Sequence, residues 1–173
     1  MKIYLVTGAA GFIGVNFVKY MLKKYGKDIQ IIVLDKLTYA GNKDSLKDEI
    51  AEGKIEFVKG DIGNKELVEN IFSRYDIDYV VNFAAESHVD RSILGPRVFL
   101  ETNILGTQNL LEVSKDSWTI GKDENGYPIY KEGKKYIQIS TDEVYGSLSR
   151  DYSEAKELHL DESVKKVVER SEE

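Results

Sequence analysis

The chain has 173 residues, 42% hydrophobic and 31% charged, which is typical of an ordinary globular protein with one domain or one domain and part of another. Its net charge of −6 argues against nucleic acid as a partner, and the absence of cysteine excludes disulfides and thiolate catalysis. The two histidines, His88 and His159, lie far apart, so we predict no metal site. No stretch approaches the roughly 20 apolar residues of a membrane span, and we expect a cytoplasmic protein without membrane contacts.

Strand and helix patterns alternate along most of the chain. Apolar runs predict five buried strands, at Ile3–Thr7, Ile29–Leu34, Ile55–Val58, Tyr79–Ala84 and Tyr136–Ser140. Apolar residues at helical spacing predict helices at Gly11–Lys24, near Lys65–Arg74 and at Arg97–Ser114. This alternation predicts an α/β fold: a Rossmann-type, doubly wound parallel sheet with helices on both faces, in strand order 3-2-1-4-5, ending after about the fifth strand.

Two segments depart from this alternation. Asp116–Lys134 is polar and contains an Asn125-Gly126 turn, which predicts a surface hairpin before the fifth strand. The residues from 151 to 173 are highly charged and predict an exposed helical or disordered tail. We therefore expect residues 1–150 to form a dinucleotide-binding Rossmann domain.

A glycine-rich loop follows the first predicted strand. Gly8, Gly11 and Gly14 are spaced as GxxGxxG, between a strand and a helix. Such glycines allow a tight turn and let a pyrophosphate approach backbone N–H groups at the helix N-terminus. Asp35 ends the second strand about 20 residues later, where a carboxylate accepts hydrogen bonds from a ribose diol and repels a 2′-phosphate. This favours NAD over NADP, although Asp35 can also be read as a strand-end cap.

Acidic and hydroxyl residues follow two other strands. Asp61-Ile62, after the third strand, is placed to hold an adenine or to form an ordinary turn. Ser140-Thr141-Asp142-Glu143-Val144-Tyr145-Gly146 follows the fifth strand. Ligands bind at the carboxyl ends of the strands in such sheets, so Thr141, Asp142 and Glu143 are candidates for proton chemistry added to hydride chemistry. The alternative is that Asp142-Glu143 is a solvated loop pair.

Several strings, taken together in this order, resemble one known family. They are Thr7–Gly14 (TGAAGFIG), Asp35–Asn42 (DKLTYAGN), Ala84–Ile93 (AAESHVDRSI), Thr102-Asn103 with Gly106-Thr107, and Ser140–Gly146 (STDEVYG). Over about residues 1–146 the chain resembles the dTDP-glucose 4,6-dehydratases, which are extended short-chain dehydrogenases/reductases. Ala9 departs from the family pattern, which usually has glycine there.

The resemblance implies an NAD-dependent lyase that dehydrates dTDP-glucose to dTDP-4-keto-6-deoxyglucose. It implies that Thr141 contacts the sugar C4 oxygen, Asp142 acts as the acid, Glu143 acts as the base and Ser87 contacts the substrate. The expected cofactor-binding residues are Gly8, Gly11, Phe12, Ile13, Gly14, Asp35, Lys36, Leu37, Thr38, Asp61, Ile62, Ala84, Ala85 and Thr102. It leaves open a homodimer formed through two helices, one of them near Arg97–Ser114.

The family also uses a Tyr-x-x-x-Lys pair, whose tyrosine deprotonates the C4 hydroxyl. Tyr152/Lys156 has this spacing, but it lies too close to Thr141 for the extended branch and lacks the small apolar face of the expected helix. We therefore expect a fragment of a longer enzyme, without its sugar-nucleotide domain and inactive alone. The alternatives are a related NAD-dependent sugar-nucleotide epimerase or reductase, and a non-catalytic NAD-binding module.

Overall fold

The computed structural model describes residues 1–141 and 144. Its strands are β1 (Lys2–Thr7), β2 (Ile29–Asp35), β3 (Ile55–Lys59), β4 (Tyr79–Asn82), β5 (Thr119–Lys122), β6 (Pro128–Tyr130) and β7 (Lys135–Gln138). Its α-helices are α1 (Phe12–Tyr25), α2 (Lys47–Ala51), α3 (Lys65–Arg74), α4 (Val89–Leu94), α5 (Pro96–Phe99) and α6 (Thr107–Trp118). Residues Met1–Ile139 form one compact unit, to which the described residues Ser140, Thr141 and Val144 do not belong.

Five strands form one parallel sheet in the order β3-β2-β1-β4-β7. Because β7 is the fifth strand of this sheet along the chain, the order is the predicted 3-2-1-4-5. Val6 of the central strand β1 lies between Val33 of β2 and Val81 of β4. The strand order reverses on either side of β1, so the carboxyl ends of β1 and β4 flank the crevice where ligands of such sheets bind.

Both faces of the sheet are covered, which confirms the doubly wound prediction. In β2, Ile31 and Val33 point into a core packed against α1, whereas Ile32 and Leu34 point into a core packed against α3 and α6. All four side chains are fully buried. Each such side chain stabilises the fold by about 1.5–3 kcal/mol relative to an exposed one.

The predicted hairpin is present as an antiparallel pair of β5 and β6. Its turn is held by Asp123, whose carboxylate accepts from the N–H groups of Asn125 at 2.9 Å and Tyr127 at 2.8 Å. Gly126 has a φ of +84°, a conformation that glycine adopts without steric cost. The Asn-Gly pair therefore marked the turn correctly.

The long helical stretch predicted at Arg97–Ser114 extends from α5 through α6 and contains a π-helical segment at Leu100–Gly106. Gly106 allows the helix to approach Ile62, because a Cβ atom at Gly106 would lie 2.8 Å from the Ile62 side chain. None of the helices within residues 1–141 has the length and apolar character that crossing a membrane requires.

The fourth strand ends two residues earlier than predicted. The Asn82 side chain accepts from the Ala84 N–H at 3.1 Å, so it takes a donor that a strand ladder would otherwise use. Asparagine side chains compete with regular backbone pairing in this way. The chain therefore leaves the sheet after Asn82, and Phe83, Ala84 and Ala85 form a loop over the carboxyl edge.

Candidate functional site

The glycine loop between β1 and α1 packs directly on the loop that follows β4. Gly8 has a φ of +66°, and a Cβ atom there would lie 2.5 Å from the Ala84 backbone nitrogen. Gly14 is equally confined, since its Cβ would lie 2.6 Å from the Ala9 Cα. These two glycines are needed because backbone segments approach each other too closely for any side chain.

The N-terminus of α1 opens toward solvent without a side-chain cap. Gly11 is its N-cap residue, and the first turn contains no acidic residue. The N–H groups of such a turn lack intrahelical acceptors and carry a partial positive charge, which suits a phosphate. Phe12 and Ile13 in this turn are 87% and 63% exposed, so their side chains do not cover the N–H groups by packing into the core.

Asp35, at the end of β2, is buried and holds two loops. One carboxylate oxygen accepts from the Ala10 N–H at 2.8 Å, and the other accepts from the Leu37 N–H at 2.7 Å. The strand-end cap and the ligand-binding interpretations are therefore compatible. A carboxylate has about four lone-pair sites, so both oxygens keep acceptor capacity for a ribose diol.

The loop after β2 forms one wall of the cleft. Leu37 has a φ of +56°, which is rare for a residue with a side chain. The Gly41 N–H donates to the Thr38 carbonyl at 3.1 Å, and the Asn42 N–H donates to the Ala10 carbonyl at 2.9 Å. This wall is therefore tied to the glycine loop by backbone hydrogen bonds.

Asp61 and Ile62 follow β3 and close the cleft beside Lys36. Lys36 Nζ lies 2.6 Å from Asp61 Oδ2, and the Gly63 N–H donates to Asp61 Oδ1 at 2.8 Å. Burial alone would raise the pKa of Asp61, but these two donors outweigh it and hold that pKa below its ordinary value. Asn109 of α6 donates to the Ile62 carbonyl at 2.5 Å and thereby positions the loop.

A polar network, buried at Thr7 and Asn82, crosses the carboxyl ends of three strands. Thr7 of β1 donates to Asn82 Oδ1, and Asn82 Nδ2 donates to Gln138 Oε1 of β7 at 2.9 Å. The Tyr136 hydroxyl donates to the same Gln138 oxygen at 3.0 Å. Burial raises the pKa of Tyr136 to about 12, so the hydroxyl remains protonated at neutral pH.

The loop after β4 is the opposite wall, and the π-helical segment holds it. Asn103 Oδ1 accepts from the Glu86 N–H and Asn103 Nδ2 donates to the Glu86 carbonyl, both at 2.8 Å. The neighbouring Thr102 lines the cleft. The π-helical segment thus lines the cleft through Thr102 and holds the loop after β4 through Asn103, and such segments occur frequently at functional sites.

The structure brings most of the predicted cofactor residues to one cleft. Its lining contains ten of them: Gly8, Gly11, Asp35, Lys36, Thr38, Asp61, Ile62, Ala84, Ala85 and Thr102. The remaining four, Phe12, Ile13, Gly14 and Leu37, flank the lining in α1 and in the loop after β2. Among the described residues, no cluster of three or more histidine, aspartate or glutamate side chains suits a metal ion.

The predicted catalytic residues are only partly described. Thr141 is exposed and lies outside the compact unit, and its carbonyl accepts from the Val144 N–H at 3.4 Å. Ser87 is exposed in the loop after β4. Asp142, Glu143, the pair Tyr152/Lys156 and the tail from 151 to 173 lie outside the described residues.

The family described as GDP-mannose 4,6 dehydratase matches residues 5–162. The chain belongs to this family. The dTDP-glucose 4,6-dehydratase of Xanthomonas campestris pv. campestris strain B100 is 46% identical over 148 residues, which are 86% of this chain and 40% of that protein. The chain thus spans about 40% of the length of the curated relatives it matches.

Solved structures of related enzymes have the same fold. The dTDP-glucose 4,6-dehydratase of Streptomyces venezuelae, crystallised with NAD and TYD bound, is 43% identical with a TM-score of 0.70, over 86% of this chain and 42% of that chain. The UDP-Glc/GlcNAc 4-epimerase of Campylobacter jejuni is 28% identical with a TM-score of 0.70, over 86% and 40% of the two chains.

Sequence reasoning missed several residues that shape the cleft. Asn82 and Asn103, which hold the loop after β4, were not predicted as site residues. Gly41 and Glu86 line the cleft and were not predicted to bind the cofactor. A polar residue at the end of the apolar run Tyr79–Val81 could have indicated Asn82. Asn103 stands in one of the quoted strings, but its role depends on a loop 17 residues away.

Proposed function

We propose that this chain takes part in the NAD-dependent dehydration of dTDP-glucose to dTDP-4-keto-6-deoxyglucose and supplies the NAD-binding site. The observation that carries this proposal is the meeting of the uncapped α1 N-terminus, the Asp35 carboxylate and the Ala84–Glu86 loop around one cleft. The similarity to dehydratases supports the reaction, and the strings at Ala84–Ile93 and Ser140–Gly146 support it further.

The cleft offers groups that match the diphosphate and the adenosine part of a dinucleotide. The α1 N-terminus suits the diphosphate, and Asp35 has acceptor capacity for the adenosine ribose diol. Asp61 and Ile62 suit the adenine, because a carboxylate and backbone amides complement its edge. When bound, NAD would accept a hydride from sugar C4 and return it at C6.

Two carboxyl groups of this chain are proposed to transfer protons during the elimination of water. Oxidation at C4 makes the C5 proton acidic, and Glu143 is the proposed base that removes it and returns a proton to C5 when the hydride is delivered to C6. Asp142 is the proposed acid that protonates the C6 hydroxyl as it leaves as water. Thr141 is proposed to hold the C4 oxygen, and Ser87 is proposed to contact the substrate. Adjacent acid and base roles need environments that separate the two pKa values.

The second candidate is an NAD-dependent sugar-nucleotide epimerase, favoured by the similar fold of the Campylobacter jejuni epimerase. An epimerase has no elimination step, so it needs no consecutive acid and base after Thr141. The presence of Asp142 and Glu143 therefore favours the dehydratase. A module that binds NAD without catalysis would leave both carboxylates without a chemical role.

We also propose a cytoplasmic location and a homodimer. The absence of cysteine fits a reducing compartment. Leu100, Leu105 and Leu111 are 54%, 55% and 46% exposed along the helices from 96 to 118, and a second copy could cover them. Sedimentation analysis of Leu105→Glu beside the unmodified chain tests the dimer.

Calorimetry with NAD and NADP tests the cofactor proposal. The unmodified chain should bind NAD at least tenfold more tightly than NADP, since a buried carboxylate repels the 2′-phosphate. Asp35→Asn should weaken NAD binding by about 10- to 100-fold, because it removes a charge-assisted hydrogen bond. Asp28→Asn, at an exposed aspartate far from the cleft, is the matched control. Tighter binding of NADP would overturn the assignment of Asp35.

The reaction is tested with the natural protein that contains this chain. Incubation with dTDP-glucose and NAD should yield the 4-keto-6-deoxy product. Glu143→Gln should slow elimination by about 10²–10⁴ and suppress solvent deuterium exchange at C5, while Asp142→Asn should slow elimination alone. Unchanged elimination in both variants would remove the carboxylates from the mechanism and favour the epimerase.

A further inference from the structure

The guanidinium of Arg91 lies over the aromatic ring of Tyr39, with 3.8 Å between the guanidinium carbon and the ring centroid. This is the geometry of a close cation–π contact. Arg74 and Arg97 each pair with a glutamate, at 3.2 Å and 2.6 Å. Within residues 1–141, the partner that the Arg91 guanidinium contacts is instead this ring.

The two residues belong to opposite walls of the cleft. Tyr39 lies in the loop after β2, between Thr38 and Ala40, which both line the cleft. Arg91 lies in α4, which begins at Val89, shortly after Glu86, the last lining residue of the β4 loop. Their contact therefore joins the two walls on the solvent side of the site.

Each wall is otherwise held at its base by its own part of the fold. The loop after β2 is tied to the glycine loop through the hydrogen bond from the Asn42 N–H to the Ala10 carbonyl. The loop after β4 is tied to the π-helical segment through Asn103 and Glu86. Neither set of bonds joins the outer parts of the two walls to each other.

We propose that Tyr39 and Arg91 form a latch that closes the cleft over bound dinucleotide and slows its release. The latch rests on the proposed NAD binding. A dinucleotide held between the walls leaves when they separate, and separation breaks the cation–π contact. Tyr39 is 52% exposed, so the contact opens without disturbing the core.

The latch is tested by the dissociation rate of NADH, followed by its fluorescence after mixing with excess NAD. Tyr39→Leu and Arg91→Met should each raise the rate about two- to fivefold, the range expected for an exposed cation–π contact. The double variant should be no faster than either single variant, because both remove the same contact. Tyr39→Phe keeps the ring face and should keep the unmodified rate.

Tyr20→Leu is the matched control. Tyr20 is 56% exposed and also contacts a cation, Lys24, at 5.5 Å from the ring centroid, but it lies on α1 outside the cleft lining. Its removal should leave NADH dissociation unchanged. An increase in this control equal to that of Tyr39→Leu would overturn the latch, because the effect would then be general.

The remaining outcomes separate the latch from the proposed function. Failure of the unmodified chain to bind NADH would overturn both. NADH binding with an unchanged dissociation rate in Tyr39→Leu would overturn the latch alone. A faster rate in Arg91→Met but not in Tyr39→Leu would also overturn it, since Arg91 would then act directly on a ligand phosphate.

Discussion

The two ends of the parallel sheet are organised by different interactions. At the carboxyl end, side chains hold loops by bonding to backbone N–H groups: Asp35 to Ala10, Asn82 to Ala84 and Asn103 to Glu86. At the amino end, charged side chains bond to one another across the strands. Lys2, Asp76, Asp78, Lys131 and Lys134 form this amino-end cluster.

Lys134 is the centre of the amino-end cluster. Its ammonium lies 2.8 Å from Asp76 Oδ1 and 3.4 Å from Asp78 Oδ1, and its side chain is only 5% exposed. Lys2 reaches Asp78 at 3.0 Å from the first strand. The cluster therefore connects the residues that precede β4 and β7 with the start of β1.

The difference follows from what each end has to do. A binding cleft must be rigid, yet its ligand must find hydrogen-bonding groups that the protein has not already neutralised. Side chains that bond to backbone N–H groups fix the loops at the carboxyl end, and the first turn of α1 keeps its own N–H groups open to an anion. The amino end binds no proposed ligand, so charges there can pair fully and serve stability alone.

Gly8→Ala should disrupt the packing of the loops at the carboxyl end of the sheet, and it has the largest expected effect on stability. The new Cβ would lie 2.5 Å from the Ala84 nitrogen at a φ of +66°, so both backbone strain and a backbone clash oppose it. We expect a loss of about 3 kcal/mol or more in the free energy of unfolding, and loss of NAD binding.

Gly53→Ala separates the contribution of backbone strain from that of the backbone clash. Gly53 has a φ of +67°, but a Cβ there meets nothing within 4 Å. It should cost only about 1–2 kcal/mol, the strain of the left-handed conformation, with NAD binding retained. Urea denaturation and calorimetry measure both variants. Equal losses in the two would mean that the approach of Ala84 to Gly8 is unimportant.

Lys134→Met tests how much the amino-end cluster contributes to stability. Removing the buried ammonium leaves Asp78 without one of its partners, and the free energy of unfolding should fall by about 2 kcal/mol with NAD affinity unchanged. Lys131→Met is the control, because Lys131 is 45% exposed and its ion pair should contribute less than about 1 kcal/mol. A change in NAD affinity in Lys134→Met would show that the two ends are coupled.

The smallest expected effect is the pH dependence carried by Asp78. Burial alone would raise the pKa of this carboxyl, but the Ile3 N–H, Lys2 and Lys134 outweigh it and hold the pKa below its ordinary value. Its stabilising contribution is therefore complete above that ordinary value, near pH 4, and is lost as the pH falls through the lower, folded-state pKa.

Asp78→Asn should remove this dependence. It should cost about 1 kcal/mol at pH 7, and the difference from the unmodified chain should shrink as the pH is lowered to 2. Urea midpoints at pH 7, 4 and 2 measure it, with Asp28→Asn as the exposed control. If the two chains differed in unfolding free energy by the same amount at all three pH values, the charge of Asp78 would not contribute to stability.

The sequence by itself determined the strand order, the glycine loop and most of the cleft lining. Apolar runs of strand length, separated by helices, permit few right-handed parallel arrangements. The spacing of Gly8, Gly11 and Gly14 and the position of Asp35 follow from local geometry at strand ends, which sequence patterns record directly.

Only the tertiary structure decided how those residues are held. The bond from Ala10 to Asp35 joins residues 25 apart, and that from Thr7 to Asn82 joins residues 75 apart. The contact of Arg91 with Tyr39 and the burial of Lys134 are likewise products of folding. Such partners depend on which strands become neighbours and where the loops after them bend, and no periodicity in the chain encodes that information.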